Sequence, residues 1–364
     1  MSRIDDLIQQ LCPNGVEFKS LINVARIRNG KDYKTFGEGD VPVYGTGGIM
    51  THIDTYAYDK PSVLIPRKGS LGNLFFVDTP FWTVDTIFYT EIDEKLIDPK
   101  FLFYFLATLG LGAMNQAGGV PSQTQSVLNK LKIPTPPLQI QREIVRILDT
   151  FTELEAELEA ELEARRLQYA YYRDRLLAFP ETGGVMYVPM GELAVIGTGS
   201  RNTNEAVDRG EYPFFVRSQA PLATDDYEFD ETAIITAGDG VGVGKVFHFA
   251  EGKYALHQRA YRIVVSSQEL NSKFLFHFIR HDFSRYLAMT SVHASVTSLR
   301  KPMFEKYLVP LPPLEMQLRI VNILDKFDAL VNDLSVGLPA ELKARRVQYE
   351  YYRDRLLTFE EAVA

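Results

Sequence analysis

The chain has 364 residues, of which 46% are hydrophobic and 24% are charged; its formal net charge is −8 and its only cysteine is Cys12. At roughly 150 residues per domain, this length predicts two or three globular domains, and the composition excludes long disordered segments. The lone cysteine excludes internal disulfides and cysteine-based zinc sites, and no apolar run approaches the ~18 residues of a membrane span, so we expect a cytoplasmic protein.

The first predicted domain spans residues 1–135. It opens with a short amphipathic pattern, MSRIDDLIQQL, that lacks the apolar core of a signal peptide. Runs rich in Val, Ile and Phe between Gly, Pro and Asp predict strands at Ser62 to Pro66 and at Asn73 to Asp78. Lys100 to Leu109 has helical periodicity. These elements indicate a mainly β domain with at least one helix.

A long helix is predicted in residues 136–180, starting at Pro137, where the missing N–H of proline costs nothing. Apolar residues recur every three and four positions, which allows a helix of ~40 residues, or ~60 Å. The segment Glu153 to Glu163 carries six glutamates. Much of the negative charge therefore lies on this helix, and the globular parts are close to neutral.

The second predicted domain spans residues 181–311. Strands are predicted at Ala233 to Thr236 and at Ala260 to Val265, and a helix at Lys273 to Arg280. The two domains align weakly with each other at an offset of 169, for example at the glycines of positions 30 and 199.

A second long helix, in residues 312–364, repeats the first. PPLQIQREIVRILD at 136–149 matches PPLEMQLRIVNILD at 312–325, and ARRLQYAYYRDRLLAF at 164–179 matches ARRVQYEYYRDRLLTF at 344–359 in 13 of 16 positions. Pro313 marks the start of this copy. The offset grows from 176 to 180, so the second copy holds four extra residues, and Gly337 and Pro339 should break or bend its helix.

Each long helix carries a narrow apolar seam typical of a coiled coil. Self-association into a homodimer is one interpretation. We favour pairing of the two helices within one chain, because their seams are alike, and antiparallel pairing if the domains lie at opposite ends. The predicted fold class is α+β: two mixed, mainly β domains separated by two long helices that form an intramolecular antiparallel coiled coil, with a pseudo-twofold internal repeat.

No catalytic motif is complete. In the run GDGVGVGKV, Asp239 stands where a phosphate-binding loop needs its first glycine, and Val246 replaces the Ser or Thr that would bind magnesium. The run also misses the dinucleotide fingerprint, since its sixth position is Lys245, so we expect a turn between two strands. The six histidines show no metal-ligand spacing, and Ser200 lacks a G-x-S-x-G context. We therefore expect a non-catalytic protein.

The two helix motifs, the loop IPRKGSLGN (Ile65 to Asn73) and the run FWTVDTIFYT (Phe81 to Thr90) resemble the specificity subunit of type I restriction-modification enzymes. The resemblance covers essentially the whole chain. It implies a target-recognition domain in 1–135, a central conserved helix in 136–180, a second target-recognition domain in 181–311 and a distal conserved helix in 312–364.

That resemblance implies a reader of double-stranded DNA. Each recognition domain would read one half of a bipartite, asymmetric site, and the helices would set the unread spacer between the halves. The helices would also dock two methyltransferase subunits, onto which two restriction and motor subunits assemble. AdoMet, ATP and Mg would belong to those partners, and none would be bound by this chain.

Candidate DNA contacts are polar residues of glycine-rich and strand-flanking loops, because base readout needs forked donors and amides, and phosphate contacts need Lys, Arg and hydroxyls. In the first domain they are Arg67, Lys68, Ser70, Asn73, Ser122, Gln123, Thr124 and Gln125. In the second domain they are Arg217, Ser218, Gln219, Asp239, Lys245, His257, Gln258, Arg259, Ser295, Thr297, Arg300 and Lys301. Any one of them could instead be a solvated loop residue.

The tyrosine-rich blocks have helical spacing, which indicates packing or partner contacts rather than base stacking. The candidate docking residues are Tyr169, Tyr172, Arg173, Tyr349, Tyr352 and Arg353. A rival interpretation is a coiled-coil scaffold that joins two protein-binding domains without DNA contact, and the acidic net charge fits it better. A self-contained DNA methyltransferase would need an AdoMet loop, which the sequence does not show.

Overall fold

The computed structural model describes residues 3–113, 122–180, 184–290, 298–333 and 335–362. The chain forms two compact units: unit 1 consists of residues 1–159 and 342–364, and unit 2 consists of residues 160–341. Both boundaries fall inside long helices. Each unit therefore combines a mixed α/β domain with helical segments from two distant parts of the sequence.

Unit 1 begins with the helix α1 (Arg3–Leu11). Its strands in chain order are β1 (Phe18–Ser20), β2 (Ala25–Asn29), β3 (Val41–Gly45), β4 (Gly48–Ile53), β5 (Ser62–Pro66), β6 (Phe75–Val77), β7 (Trp82–Thr83), β8 (Ile87–Ile92) and β9 (Lys132–Pro134). They form sheets of order β1-β9, β2-β8-β5-β6 and β4-β3-β7. The helices α2 (Pro99–Thr108), α3 (Gln125–Leu128) and the 39-residue α4 (Leu138–Leu176) complete this half of the sequence.

Strand β5 lies at the centre of unit 1 and is buried at every position. Because alternate side chains of a strand point to opposite faces, it contributes to two cores. Val63 and Ile65 join the core that contains helix α2, whereas Leu64 joins a second core around Trp82. Asp98 caps α2, accepting hydrogen bonds from the backbone N–H groups of its first turn.

Unit 2 is built around a larger sheet. Its strands are β10 (Met186–Pro189), β11 (Ala194–Thr198), β12 (Tyr212–Phe215), β13 (Leu222–Thr224), β14 (Phe229–Ala237), β15 (Phe247–Leu256), β16 (Ala260–Val265) and β17 (Leu308–Leu311). Their orders are β11-β16-β14-β15-β12-β13 and β10-β17. The helices are α5 (Met190–Leu193), α6 (Ser272–Thr290), α7 (Lys301–Glu305), α8 (Leu314–Asn332) and α9 (Leu338–Leu356), the last of which crosses into unit 1.

The predicted elements are confirmed in type, with shifts at their ends. The bounds of β5 and β16 agree with the prediction, β6 is shorter and β14 is longer. Helix α6 continues ten residues beyond the predicted Arg280 to Thr290. The glycine run after β14 forms a short 3-10 turn at Gly240–Gly242 that leads to β15, as predicted.

The long helices begin where the two prolines predict, since α4 starts at Leu138 and α8 at Leu314. The second copy is broken between α8 and α9, which confirms the predicted interruption. A Cβ on Gly337 would lie 2.4 Å from the carbonyl oxygen of Ala329 and 2.6 Å from that of Leu330. The chain passes so close to the end of α8 at this position that it needs glycine.

Within each unit the long-helix segments pack side by side through aromatic rings. In unit 1, Phe151 of α4 stacks on Tyr352 of α9, with ring centroids 5.6 Å apart. Eight residues further along α4, Glu159 pairs with Arg346 at 2.5 Å, so the numbering falls along α9 as it rises along α4. The pairing is therefore antiparallel, as predicted. In unit 2, Tyr172 of α4 stacks on Phe327 of α8 at 5.7 Å, which repeats the contact.

The glutamine of each P-P-L-x-x-Q motif fixes its long helix to the preceding domain. Gln141 and Gln317 are fully buried. The amide of Gln141 accepts a hydrogen bond from the N–H of Asp98 at 2.7 Å and donates to the carbonyls of Leu96 and Pro136. Gln317 makes the same three bonds in unit 2. The motif therefore encodes an anchor between domain and helix.

The aspartate that ends each motif is a second anchor. Asp149 accepts hydrogen bonds from Lys100 Nζ and Tyr104 Oη of α2, both at 2.7 Å. In unit 2, Asp325 pairs with Lys273 and His277 of α6 at 3.1 and 2.7 Å. Equivalent positions of the two copies thus hold the same pair of helices together, with histidine replacing tyrosine.

The C-terminal segment completes unit 1. Val16 exchanges backbone hydrogen bonds with residues beyond α9, donating to Glu360 O at 2.8 Å and accepting from Ala362 N at 2.9 Å. Leu356 and Leu357 are buried in the core that also contains α2. No helix in the described ranges is long and apolar enough to cross a membrane.

Candidate nucleic-acid interface

In unit 1, the loop that follows strand β5 is tied by backbone contacts to two other segments, and we call this arrangement the loop framework. The N–H groups of Arg67 and Lys68 donate to the carbonyl of Thr86 at 2.8 and 3.3 Å. Lys68 also forms an isolated antiparallel bridge with Ser122, so three separate segments meet at the end of this strand. Gly69 follows with a φ of +79°, a conformation that favours glycine and turns the chain sharply.

The same framework follows strand β14 in unit 2. Gly238 N–H donates to Arg259 O at 2.8 Å, Asp239 bridges to Ser298, and Gly240 has a φ of +78°. The isolated bridge places Asp239 at the position of Lys68. The backbone carbonyl of Arg259, which accepts from the N–H of Gly238, takes the place of the carbonyl of Thr86. The parallel pairing of β12 with β15, like that of β3 with β7, places Arg217 at the position of Thr46.

Unit 2 concentrates charge at this framework. The carboxylate of Asp239 binds Arg217 Nη1 through Oδ1 at 2.7 Å and Arg259 Nη1 through Oδ2 at 3.1 Å. Burial alone would raise the pKa of Asp239, but the hydrogen bonds and positive charges of the two arginines outweigh it and hold the pKa below its usual value. Asp239 is therefore ionised at neutral pH, while the side chains of Arg217 and Arg259 are 42% and 62% exposed.

The side chain of His257 binds the backbone of Arg259. Its ring is buried, its backbone N–H donates to Phe215 O, and its Nδ1 accepts a 3.0 Å hydrogen bond from the N–H of Arg259. Burial, reinforced by the charge of Arg217, lowers the pKa of His257 below its ordinary value. A neutral ring with Nδ1 as acceptor agrees with this hydrogen bond. His257 was a predicted DNA contact, and its geometry is that of a support for the loop.

The other predicted residues of the first domain lie around the same loops. Asn73 donates to Thr46 O at 3.2 Å, and Gln125 donates to the side chain of Asn29 at 3.2 Å. Lys68 and Ser70 are exposed, and the hydroxyl of Thr124 lies 2.9 Å from that of Ser126. Gln123 is 2% exposed and donates to Leu111 O at 2.6 Å. Its amide holds the loop and does not face solvent.

The remaining predicted residues of the second domain are mostly exposed. Ser218, Gln219, Lys245, Gln258, Arg300 and Lys301 all lie at the surface. Gln258 donates to Asn202 Oδ1 at 2.5 Å, and Ser218 donates to Ala220 O at 2.7 Å. Arg300 occupies the N-cap position of α7, and Thr124 occupies that of α3, so the cap is another repeated feature. Ser295 and Thr297 lie outside the described residues.

Three residues of this framework were missed in the sequence. Thr46 and Thr86 would have been found by extending the self-alignment, since they match Arg217 and Arg259 at offsets of 171 and 173. Val241 is 98% exposed at the tip of the loop after β14. An isolated apolar residue between two glycines was the available signal for it.

The tyrosines predicted to dock partners are occupied within the chain. Tyr169 and Tyr172 pack on Phe327, and Tyr349 and Tyr352 pack on Phe151. The guanidinium of Arg173 lies 5.7 Å from the ring of Tyr169 and binds Asp174, and Arg353 repeats both contacts with Tyr349 and Asp354. The packing alternative thus accounts for these contacts. Tyr171 and Tyr351 are 58% and 61% exposed, and Tyr172 keeps 40% of its surface exposed beside its contact with Phe327.

The described ranges contain no group of three or more His, Cys, Asp or Glu side chains arranged to hold a metal ion. The loops described above present exposed cations, hydroxyls and amides once in each unit.

Comparisons with known proteins agree with this arrangement. The family described as "Type I restriction modification DNA specificity domain" matches residues 13–164 and again residues 183–344. The Escherichia coli type I restriction enzyme EcoR124I/EcoR124II specificity subunit is 34% identical over 74% of this chain and 73% of its own length. A Haemophilus influenzae chain named as a type I restriction enzyme specificity subunit is 29% identical over 94% of this chain and 96% of its own.

Solved structures show the same fold at low sequence identity. The S subunit of a type I restriction-modification system from M. genitalium has a TM-score of 0.66 at 16% identity, covering 94% of this chain and 96% of that one. The HsdS subunit from Thermoanaerobacter tengcongensis has a TM-score of 0.52 at 18% identity, over 95% and 97%. Since the family matches twice and covers most of the chain, this protein belongs to the type I restriction-modification DNA specificity family.

Proposed function

We propose that this chain is the DNA-reading, non-catalytic subunit of a cytoplasmic type I restriction-modification complex. Each recognition domain reads one half of a bipartite, asymmetric duplex site, and the long helices set the spacer. The observation that carries the proposal is the loop framework after β5 and after β14. It has the same backbone bridges in both units but presents different side chains.

The framework suits nucleic acid because its exposed groups are donors held on fixed backbone. Phosphate and base contacts need cations, hydroxyls and amides in a defined geometry, and a loop tied to a strand loses little entropy on binding. Lys68 in unit 1 and Arg217 and Arg259 in unit 2 meet this requirement.

The difference between the two frameworks supports an asymmetric site. Thr46, Lys68 and Thr86 in unit 1 take the places of Arg217, Asp239 and Arg259 in unit 2. Arginine and lysine favour the O6/N7 edge of guanine, a carboxylate accepts from the N4 amino group of cytosine, and a hydroxyl binds either donors or acceptors. Two halves with such different side chains are therefore expected to read different half-site sequences.

The long helices are proposed to dock two methyltransferase subunits, which carry two restriction and motor subunits. AdoMet, ATP and Mg would be bound by those partners. Support comes from exposed apolar residues that repeat at the 180-residue offset: Leu167 with Val347, and Tyr171 with Tyr351. Equivalent exposed patches on two equivalent helices suit two copies of one partner.

The test is a domain exchange read by methylation. Residues 185–300 are replaced by the corresponding segment of another specificity subunit, and the host genome is sequenced for modified bases. One half of the methylated motif should change, and the other half and the spacer should not. A change in both halves, or an unchanged motif in an active complex, would contradict the proposal.

The role of the helices is tested separately. Insertion or removal of about one helical turn within Glu153 to Glu163 moves one end of α4 by ~5.4 Å, and DNA rises about 3.4 Å per base pair. The spacer should change by one or two base pairs, whereas both half-sites should stay the same. An unaltered spacer in an active variant would remove the helices as its determinant.

A scaffold without DNA contact remains the rival that the acidic net charge of −8 favours. Duplex binding by the chain assembled with its methyltransferase partner separates the two functions. The proposal expects affinity that falls steeply between about 50 and 200 mM salt. Absence of binding at low salt would support the scaffold.

A further inference from the structure

Two arginines of the second recognition domain bind the same carboxylate, that of Asp239. Arg217 follows β12, and Arg259 lies in the turn between β15 and β16. Each directs one terminal nitrogen, Nη1, to a separate oxygen of Asp239, at 2.7 and 3.1 Å. Within the described ranges these are the side-chain hydrogen bonds of both arginines. A guanidinium has five donors, so each retains most of its fork for a ligand.

The backbones of both arginines pack closely against the loop that follows β14. A Cβ on Gly238 would lie 2.5 Å from Arg259 O, and one on Gly242 would lie 2.6 Å from Arg217 O. The loop after β14 therefore passes so close to both arginine backbones that it needs glycine at each crossing. His257 adds the 3.0 Å bond from its ring to Arg259 N–H. These contacts join the three loops to one another, and Asp239 holds one nitrogen of each guanidinium.

Charge balance favours base reading over phosphate binding. Two guanidinium groups and one carboxylate leave a net charge of +1 on the trio, and the carboxylate would repel a phosphate placed between the arginines. The forked donors that remain match the O6 and N7 acceptors that guanine presents in the major groove. A carboxylate that orients an arginine raises its geometric selectivity, because it fixes which edge of the fork faces outward.

We infer that Arg217 and Arg259 read guanines in the major groove of the half-site bound by the second domain, and that Asp239 is their positioning residue. This inference rests on the proposed function. The first domain carries threonines at both arginine positions and Lys68 in place of Asp239, so its half-site is read by other contacts.

The test uses the full chain assembled with its methyltransferase subunits. Methylome sequencing first defines the wild-type motif, and competition binding then compares duplexes with each base substituted. The variants are Arg217→Gln, Arg259→Gln and Asp239→Asn. The control is Arg209→Gln, which removes the same charge from an exposed arginine just before the start of β12.

The wild-type half-site should contain guanine at the affected positions. Each arginine variant should lose about 5- to 150-fold of discrimination at one of them, with the other half-site unchanged. Asp239→Asn should relax both positions while thermal melting stays within a few degrees of wild type, an effect that a merely structural role would not produce. Arg209→Gln should leave base preferences unaltered.

Two results would overturn the inference and spare the proposed function. One is a second half-site without guanine. The other is a uniform loss of affinity across all sequences with a shallower salt dependence, which identifies phosphate contacts. Absence of duplex binding by the wild-type complex would instead contradict the proposed function itself.

Discussion

Removal of the buried amide in the P-P-L-x-x-Q motif should destabilise one unit at a time. In Gln317→Met the side chain keeps its approximate volume but loses three hydrogen bonds, to Asn271 N, Glu269 O and Pro312 O, at 2.8 to 2.9 Å. At about 1 kcal/mol for each bond, the free energy of unfolding of unit 2 should fall by about 2 to 3 kcal/mol. Gln141→Met should cost unit 1 the same, since it loses the same set.

The single tryptophan of the chain separates the two effects. Trp82 lies in the core of unit 1, so its fluorescence follows the unfolding of that unit, whereas circular dichroism follows both. With a urea dependence of about 2 kcal/mol/M, the midpoint should fall by about 1 to 1.5 M. Gln141→Met should shift the fluorescence transition, and Gln317→Met should shift a circular-dichroism transition that the fluorescence does not report.

The matched control is Gln10→Met, which replaces an exposed glutamine of α1 by the same residue. Its midpoint should stay within ~0.3 M of wild type, the range expected of a neutral surface change. If the buried variants shift the midpoint no more than this control does, the amide is not an anchor and the reasoning fails.

Two further predictions concern unit 2. In Gly337→Ala the new Cβ would meet Ala329 O at 2.4 Å, so the free energy of unfolding should fall by about 1 to 3 kcal/mol and the melting temperature should drop. The control is Gly47→Ala, whose Cβ would meet nothing within 4 Å and which should change the melting temperature little. Equal melting temperatures of the two variants would exclude the collision. Burial lowers the pKa of His277 below its ordinary value although Asp325 opposes this, so the unfolded chain binds its proton more readily and unit 2 should lose stability as the pH falls below about 6.5. Tyr104 occupies the equivalent place in unit 1, and burial raises its pKa far from this range, so unit 1 lacks this contribution. His277→Gln should flatten the dependence of the unit 2 melting temperature between pH 7 and 5, and an unchanged slope would assign it to other groups.

The elements that the sequence predicted well are those with a strong local signal. The uninterrupted apolar run of β5 is buried on both faces, and Pro137 and Pro313 each stand directly before a helix. The sequence repeat predicted that the two long helices pair with each other, because their apolar seams are alike. The bounds of β15, the strand after the glycine run, were not predicted, since Gly252 and its charged neighbours interrupt the periodicity in the middle of the strand.

The candidate interface was predicted in composition but not in arrangement. Arg217, Asp239 and Arg259 stand 20 or more positions apart and meet only through strand pairing, which no local pattern reports. Gln123 looked like a polar loop residue, yet it is buried and holds Leu111 O. Whether a loop amide faces solvent depends on the segments that cover it, and this is settled by the tertiary fold.

The pairing of Val16 with Glu360 and Ala362 has a consequence for the order in which the protein can be made. Unit 2 is one continuous stretch of the chain, and residues 342–364 of unit 1 are translated after it. Unit 1 also needs residues 342–364, which follow unit 2 in the sequence and include Leu356 and Leu357 of its core. Synthesis therefore offers unit 2 the earlier chance to fold, and the first recognition domain can be completed only once the second has been translated. Protease protection of ribosome-bound chains that carry residues 1–341 followed by an unstructured linker long enough to fill the exit tunnel should show a folded unit 2 beside an incomplete unit 1.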